Sequence, residues 1–284
     1  MDNIILFDLV WRSLVVLGTA RTGTATGGST TTIVDTNGLK NIDNRYYDKG
    51  TAFVLLDAAG AGAAPEKSFS RITKSDSISK TLTLETALTA IAVGDTYGVA
   101  NGRYPLYHLI QEINNALYMD GYIPVDDTSL TTAANQTELT LPVGASRDLR
   151  AVLIQRNDDS DDNLWDDLFN WRIKFSATGS QDTLLLASQP PSGKTLLLRY
   201  ATPHAELRVA SDVLNEVVHP DRIVYQVAAN SLRWYIDKTR QKTYNATLDI
   251  FELKAQRAKS QHPLPPLPLR QSRLTIVTRT LSID

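Results

Sequence analysis

Several stretches of this chain hold residue types that could do chemistry, and spacing decides what each can do. PPSGKT at 190–195 ends like a phosphate-cradling nucleotide loop. That loop needs a glycine five residues before Gly193, where Ser188 stands, and a following helix whose amides hold the phosphate; TLLLRY reads as a strand instead. A hairpin turn is predicted, and no nucleotide. RNDDSDDNLWDDLFNW packs six aspartates between Asp158 and Asp167. Calcium takes six to eight oxygens, but a calcium loop starting at Asp158 would meet Ser160, Asn163 and Phe169 where it needs Asp or Asn, glycine and glutamate. The expectation is an exposed acidic loop that caps a short turn or faces a basic partner, with Asp158, Asp159, Asp161 and Asp162 as candidate inter-subunit contacts. The histidines are His108, His204, His219 and His262; none falls in a metal-ligand spacing, so no metal site and no cofactor are predicted. VGASRD lacks the second glycine of a nucleophile elbow. No catalytic residue is assigned, and no enzyme is predicted.

Charge is more informative than any of these motifs. The net charge is −2, which drives the chain toward neither nucleic acid nor membrane. Residues 233–279 nevertheless carry ten Lys and Arg against three acids. Arg233, Lys238, Arg240, Lys242, Lys254, Arg257 and Lys259 are the candidate basic face, followed by Arg270, Arg273 and Arg279. Such a face is either solvated or meets phosphates or an acidic protein surface. The acidic loop at 158–167 offers one such surface, in a ring of neighbouring copies.

The elements that must carry these residues can be read from apolar spacing. The chain has 284 residues, is 42% hydrophobic and 21% charged, and has no cysteine, which excludes disulfides and thiolate metal sites. MDNIILFDLVWRSLVVLG lacks a basic leader and is too short and broken to span a bilayer; residues 1–18 read as an amphipathic helix. Short β-branched runs separated by turns fill 24–102 and suggest a small barrel or sandwich. Leu106, Leu109, Ile110, Ile113 and Leu117 make a helical stripe within 104–122, between Pro105 at its start and Gly121 beyond its end. A second all-β module of five or six strands is predicted over 125–210. In it LLLASQPPSGKTLLLRY reads as two strands paired around a Pro-Pro-Ser-Gly turn. Residues 213–262 read as two helices broken near DKTRQKT. Because each helix is amphipathic and needs a partner, the expected class is α+β: a helical bundle body with two inserted all-β modules.

PLPPLPLRQSRLTIVTRTLSID, residues 263–284, reads as an extended arm. Its proline-rich spacer favours polyproline geometry, and the run with Leu274, Ile276 and Val277 reads as a strand. The expectation is that this strand completes a sheet on another polypeptide; the alternative is that it folds back on its own β module.

The phrases GTATGGSTTTIVDTNGL, YYDKGTAFVLLDAAGAG, KSFSRITKSDSISKTLTLETAL and AVGDTYGVAN, followed by LIQEINNALYMDGYIPVDDTSLTTAANQTELTLP, resemble the neck and head–tail connector proteins of tailed bacteriophages over roughly residues 20–142. The resemblance implies a structural virion protein of the neck, assembled in the host cytoplasm. Such adaptors form rings, commonly of twelve copies, between the portal protein and the tail or next neck protein, and DNA passes through the ring. Tyr244, Leu248, Phe251, Leu274, Ile276 and Val277 are then the candidate portal-docking residues. The basic face would turn toward the channel or a neighbour, with non-specific contact to DNA and none to membrane. The alternative is a tail or baseplate protein that binds carbohydrate or a receptor, stacking sugars on Trp165 and Trp171.

Overall fold

The computed structural model describes residues 3–39, 43–60, 62–156, 164–176 and 181–271. The chain divides into two compact units, Met1–Asp120 with Ala205–Leu264, and Gly121–His204 with Pro265–Asp284. No helix among the described residues is long and apolar enough to cross a membrane.

The first unit is built on a seven-stranded antiparallel sheet. Its strands are β1 (Ala20–Thr24), β2 (Gly27–Gly28), β3 (Thr32–Val34), β4 (Thr51–Leu56), β5 (Ser68–Asp76), β6 (Thr81–Leu84) and β7 (Thr96–Ala100), in the order β1-β7-β4-β5-β6-β3-β2. β1 and β2 stand at opposite ends of that order, yet only Ala25 and Thr26 separate them in the chain. The sheet therefore curls so that its two edge strands approach each other at this corner. Ala25 N–H donates to Asp95 O at 2.8 Å and Thr26 N–H to Val34 O at 2.8 Å, tying the corner. Strand alternation sends Ala52, Val54, Leu82, Leu84, Tyr97 and Val99 into the barrel. The Tyr97 hydroxyl donates to Asp35 Oδ2 at 2.8 Å, and the other Asp35 oxygen accepts from the amides of Asn37 and Gly38. Burial, then the Asp35 bond, raises the Tyr97 pKa well above its ordinary value, so the phenol stays a donor.

Four helices flank this barrel: α1 (Leu6–Val16), α2 (Leu106–Asp120), α3 (Pro220–Thr239) and α4 (Asn245–Gln261). α1 lies on the barrel's outer face. Phe53, on the outward face of β4, meets Phe7 and Trp11 edge-on at centroid distances of 5.6 and 5.1 Å. Gly98 is required here, because a Cβ on it would stand 2.5 Å from the Trp11 ring. α2 follows Pro105 and stops at Gly121, whose φ of 101° is open to glycine at little cost. Pro220 opens α3 behind the N-cap His219. Arg240 takes a left-handed conformation that ends it, and a 3₁₀ turn at Lys242–Tyr244 leads into α4, which returns antiparallel along α3.

Among the described residues the second unit is a sandwich of seven strands. β11 (Trp165–Asp167), β10 (Leu149–Gln155), β14 (Thr195–Pro203) and β8 (Tyr122–Thr131) form one antiparallel sheet in that order. β12 (Trp171–Lys174), β13 (Thr183–Leu186) and β9 (Glu138–Thr140) form the other. Leu139, Val152, Trp171, Leu184, Leu196 and Leu198 fill the space between them.

Two expectations are corrected. The helical bundle body is not found: the described chain is mostly β, with three antiparallel sheets of seven, four and three strands against four α-helices. Periodicity shows that a helix buries one face but not against what, and Phe7 and Trp11 of α1 pack on a sheet. The 183–203 stretch is also no hairpin, since β13 and β14 belong to different sheets. The PPSGKT turn between them is held by Thr132 of the neighbouring segment. Its hydroxyl donates to Pro191 O at 2.6 Å and accepts from Lys194 N–H at 3.0 Å, while its backbone carbonyl accepts from Gly193 N–H. Strand β14 starts at Thr195, where a phosphate site needs a helix.

Candidate functional site

In the first unit three helix ends converge on Arg222. Its guanidinium grips Asp120, the last residue of α2, in a two-bond fork of 2.8 and 2.7 Å, with the side chains only 7% and 4% exposed. The remaining nitrogen, Nη1, donates to the carbonyls of Lys259 and His262 at 3.0 and 2.6 Å. These are C-terminal carbonyls of α4 that no helical amide can reach. One buried cation thus serves the start of α3 and the ends of α2 and α4. Lys259 adds a weaker contact to Asp120 at 3.8 Å.

Beside this junction the imidazoles of His219 and His262 stack, centroids 3.6 Å apart and planes 6° from parallel. His219 is the N-cap of α3, with Nδ1 accepting from the Asp221 amide at 3.3 Å, and His262 caps the C-terminus of α4. His219, Asp221 and His262 each place a metal-ligating atom within 4.8 Å of the others. Both rings line a pocket of about 920 Å³ that also receives Glu216 and Leu214. The sequence gives no hint of this pair, because its members lie at opposite ends of the helical hairpin. Of the other histidines, His108 stacks on Trp234 at 4.3 Å. Burial, opposed by Glu112 and assisted by Lys238, pushes its pKa down.

In the second unit the first part of the arm rests on the sandwich of its own chain, while the strand expected to pair with another polypeptide lies outside the described residues. Gln271 N–H donates to Arg150 O at 2.9 Å, on a stretch of β10 that β11 leaves unpaired. The Gln271 amide then behaves like a strand backbone toward Val152, accepting from its N–H at 3.2 Å and donating to its carbonyl at 3.3 Å. It also accepts from Trp171 Nε1 at 3.0 Å and donates to Asp167 at 2.8 Å. Arg150 binds Pro268 O at 3.1 Å, and Arg270 binds Asp148 at 2.8 Å. Burial opposes ionisation of Asp148, but the bonds and charges of Arg150 and Arg270 outweigh it and hold its pKa below the ordinary value. This contribution to the arm's seat is fully present above the ordinary aspartate pKa of 3.8 and is lost as pH falls through the lowered folded-state value. Gln271→Ala deprives the buried Val152 amide of its acceptor and is expected to weaken the seat by about 1–3 kcal/mol. Limited proteolysis should then cut within 263–271 faster than in the parent chain, while the sandwich remains intact. An unchanged cleavage rate would show that the amide does not hold the arm.

The predicted site residues fall into three groups. Leu274, Ile276, Val277, Asp158, Asp159, Asp161 and Asp162 lie outside the described residues, as do Arg273 and Arg279. Tyr244, Leu248 and Phe251 pack on α3 of their own chain, against Ala228, Ala229 and Leu232, and Phe251 is buried. The side chains that α4 turns outward are Ile250 and Leu253, 52% and 56% exposed.

The basic residues divide similarly. Arg233 pairs with Glu252, Lys259 with Asp120, and Lys238 and Lys254 lie over the rings of Trp234 and Tyr225 at 4.7 and 5.5 Å. Arg240, Lys242 and Arg257 have no ion-pair partner among the described residues. A second cationic place appears in the sandwich, a pocket of about 570 Å³ lined by Arg147, Arg150, Arg172 and Arg270 around Asp148. Its excess of guanidinium suits phosphate or carboxylate. Trp171 is 8% exposed in the sandwich core, and Trp165 is partly buried against Leu153 and Leu197.

Comparison with protein-family models and with curated proteins finds no match.

Proposed function

We propose that this chain is a structural adaptor of the head–tail connector of a tailed bacteriophage, assembling with its own copies into a ring between portal and tail. The observation that carries the reading is the outer face of α4. Ile250 and Leu253 stand one helical turn apart and expose more than half of their surface, beside Arg257. A helix with apolar residues on both sides has a use for the second one, which here is a docking face for another polypeptide. The wording of residues 20–142, which resembles such connectors, supports the same reading. Docking on the portal therefore runs through Ile250 and Leu253, because Tyr244, Leu248 and Phe251 are engaged with α3. Arg240, Lys242 and Arg257 supply the charge for DNA phosphates or a neighbouring acidic surface, a contact that weakens with salt.

The test is mass measurement of the purified chain, alone and mixed with a portal ring, for the parent and for a double variant, Ile250→Asp with Leu253→Asp. Because both side chains are exposed, circular dichroism and melting should stay close to the parent. The parent is expected to bind the portal and the variant to lose at least about tenfold in affinity, as two apolar contacts become unpaired charges. Undiminished portal binding by the variant would remove this face from the assembly.

A further inference from the structure

We propose that His219, Asp221 and His262 form a site for one divalent transition-metal ion of the zinc class. Two imidazoles and a carboxylate are a donor set that borderline metals such as Zn²⁺, Ni²⁺ and Cu²⁺ prefer, and one that magnesium does not. The three donor atoms already lie within 4.8 Å of one another. A tetrahedral ion with bonds of about 2.0–2.1 Å needs its donors about 3.3 Å apart, so the contraction required is small. Parallel rings direct their lone pairs side by side, and one imidazole must turn to converge on the ion. The space for that turn is the 920 Å³ pocket onto which both rings open.

The backbone beside the site is anchored: the His262 carbonyl is bonded to Arg222, which is itself locked to Asp120. A nearby guanidinium would ordinarily repel a cation, but Asp120 neutralises this one. His219 Nδ1 accepts a hydrogen bond and therefore carries a lone pair; at 3.3 Å that bond is long and yields to a metal. Three protein donors leave a fourth position, which water can fill. Bound there, the ion joins the start of α3 to the end of α4, the place from which Pro263 begins the arm.

The experiment is calorimetric titration of the chelator-treated full-length chain with ZnCl₂ and, separately, NiCl₂, with melting temperature as a second readout. The expected result is one ion bound per chain and a raised melting temperature that EDTA reverses. His219→Ala and His262→Ala should each abolish both effects, while His108→Ala and His204→Ala should leave them unchanged. If an alanine variant proves unfolded by circular dichroism, His262→Gln and Asp221→Asn make the same test with closer shapes. Failure of the parent to bind either ion overturns the site. Binding that survives both histidine substitutions overturns it as well, and places the ion elsewhere, for example in the acidic run around Asp158.

Discussion

Replacing Arg222 with alanine should lower the stability of the first unit by about 3–5 kcal/mol, the usual penalty for breaking a buried ion pair from one side. Asp120 is 4% exposed, and without Arg222 its carboxylate would keep only the longer contact to Lys259 at 3.8 Å. The carbonyls of Lys259 and His262 would lose their donor in the same step. Denaturant unfolding measures the loss, and hydrogen exchange locates it at the last turns of α2 and α4. Arg222→Lys separates charge from geometry, because an ammonium restores the cation but cannot fork to one carboxylate while holding two carbonyls. Its stability should fall between those of the parent and the alanine variant. Parent-like stability in Arg222→Ala would mean that the three helix ends are held by packing alone.

Phe53→Ala should cost about 3–5 kcal/mol, mostly through the cavity it leaves. The Phe53 ring is fully buried between β4 and α1, edge-on to Phe7, Trp11 and Phe69 at 5.6, 5.1 and 6.1 Å. Each such aromatic pair contributes about 0.5–1.5 kcal/mol beyond its buried area. Because Gly98 admits the Trp11 ring so closely, the space cannot collapse without moving α1. Tryptophan emission should shift to the red together with the drop in melting temperature. Ile78→Ala is the control, since Ile78 is 90% exposed at the β5–β6 turn and should change stability by less than about 0.5 kcal/mol. A Phe53 variant as stable as this control would mean that α1 does not depend on the barrel.

Local features of the sequence were legible where local physics decides them. Pro105, Gly121 and Pro220 stand where α2 and α3 start or stop, and the Leu106–Leu117 stripe is largely buried as its spacing requires. Partners were not legible. The stripe of α1 looks like any amphipathic helix, and only the fold reveals that Phe7 and Trp11 lie on a sheet. β13 and β14 flank a plausible turn, yet the Thr132 hydroxyl and carbonyl draw that turn across to the other sheet. Nothing in the sequence marks Arg222; it is buried with Asp120, on the far side of the whole second unit in sequence. The His219 and His262 pair was hidden for the same reason, since stacking across an antiparallel hairpin leaves no short spacing to find. The outward face of α4 could have been found, because Ile250 and Leu253 fall between the positions of Leu248, Phe251 and Ala255, on the opposite side of the helix.

The first unit is discontinuous, and this sets an order of events during synthesis. A ribosome delivers α1, the barrel and α2 well before α3 and α4, and the sandwich strands Gly121–His204 emerge in between. Until then Asp120 has no Arg222 and α1 lacks its second neighbour, so the nascent barrel waits with apolar flanks uncovered. The barrel strands and the sandwich strands each find their partners within one stretch of chain, and only the barrel's helical flank waits until Arg222 arrives. Such distant pairings raise contact order and slow folding, which makes the barrel with its flank uncovered the species that a chaperone would have most reason to hold.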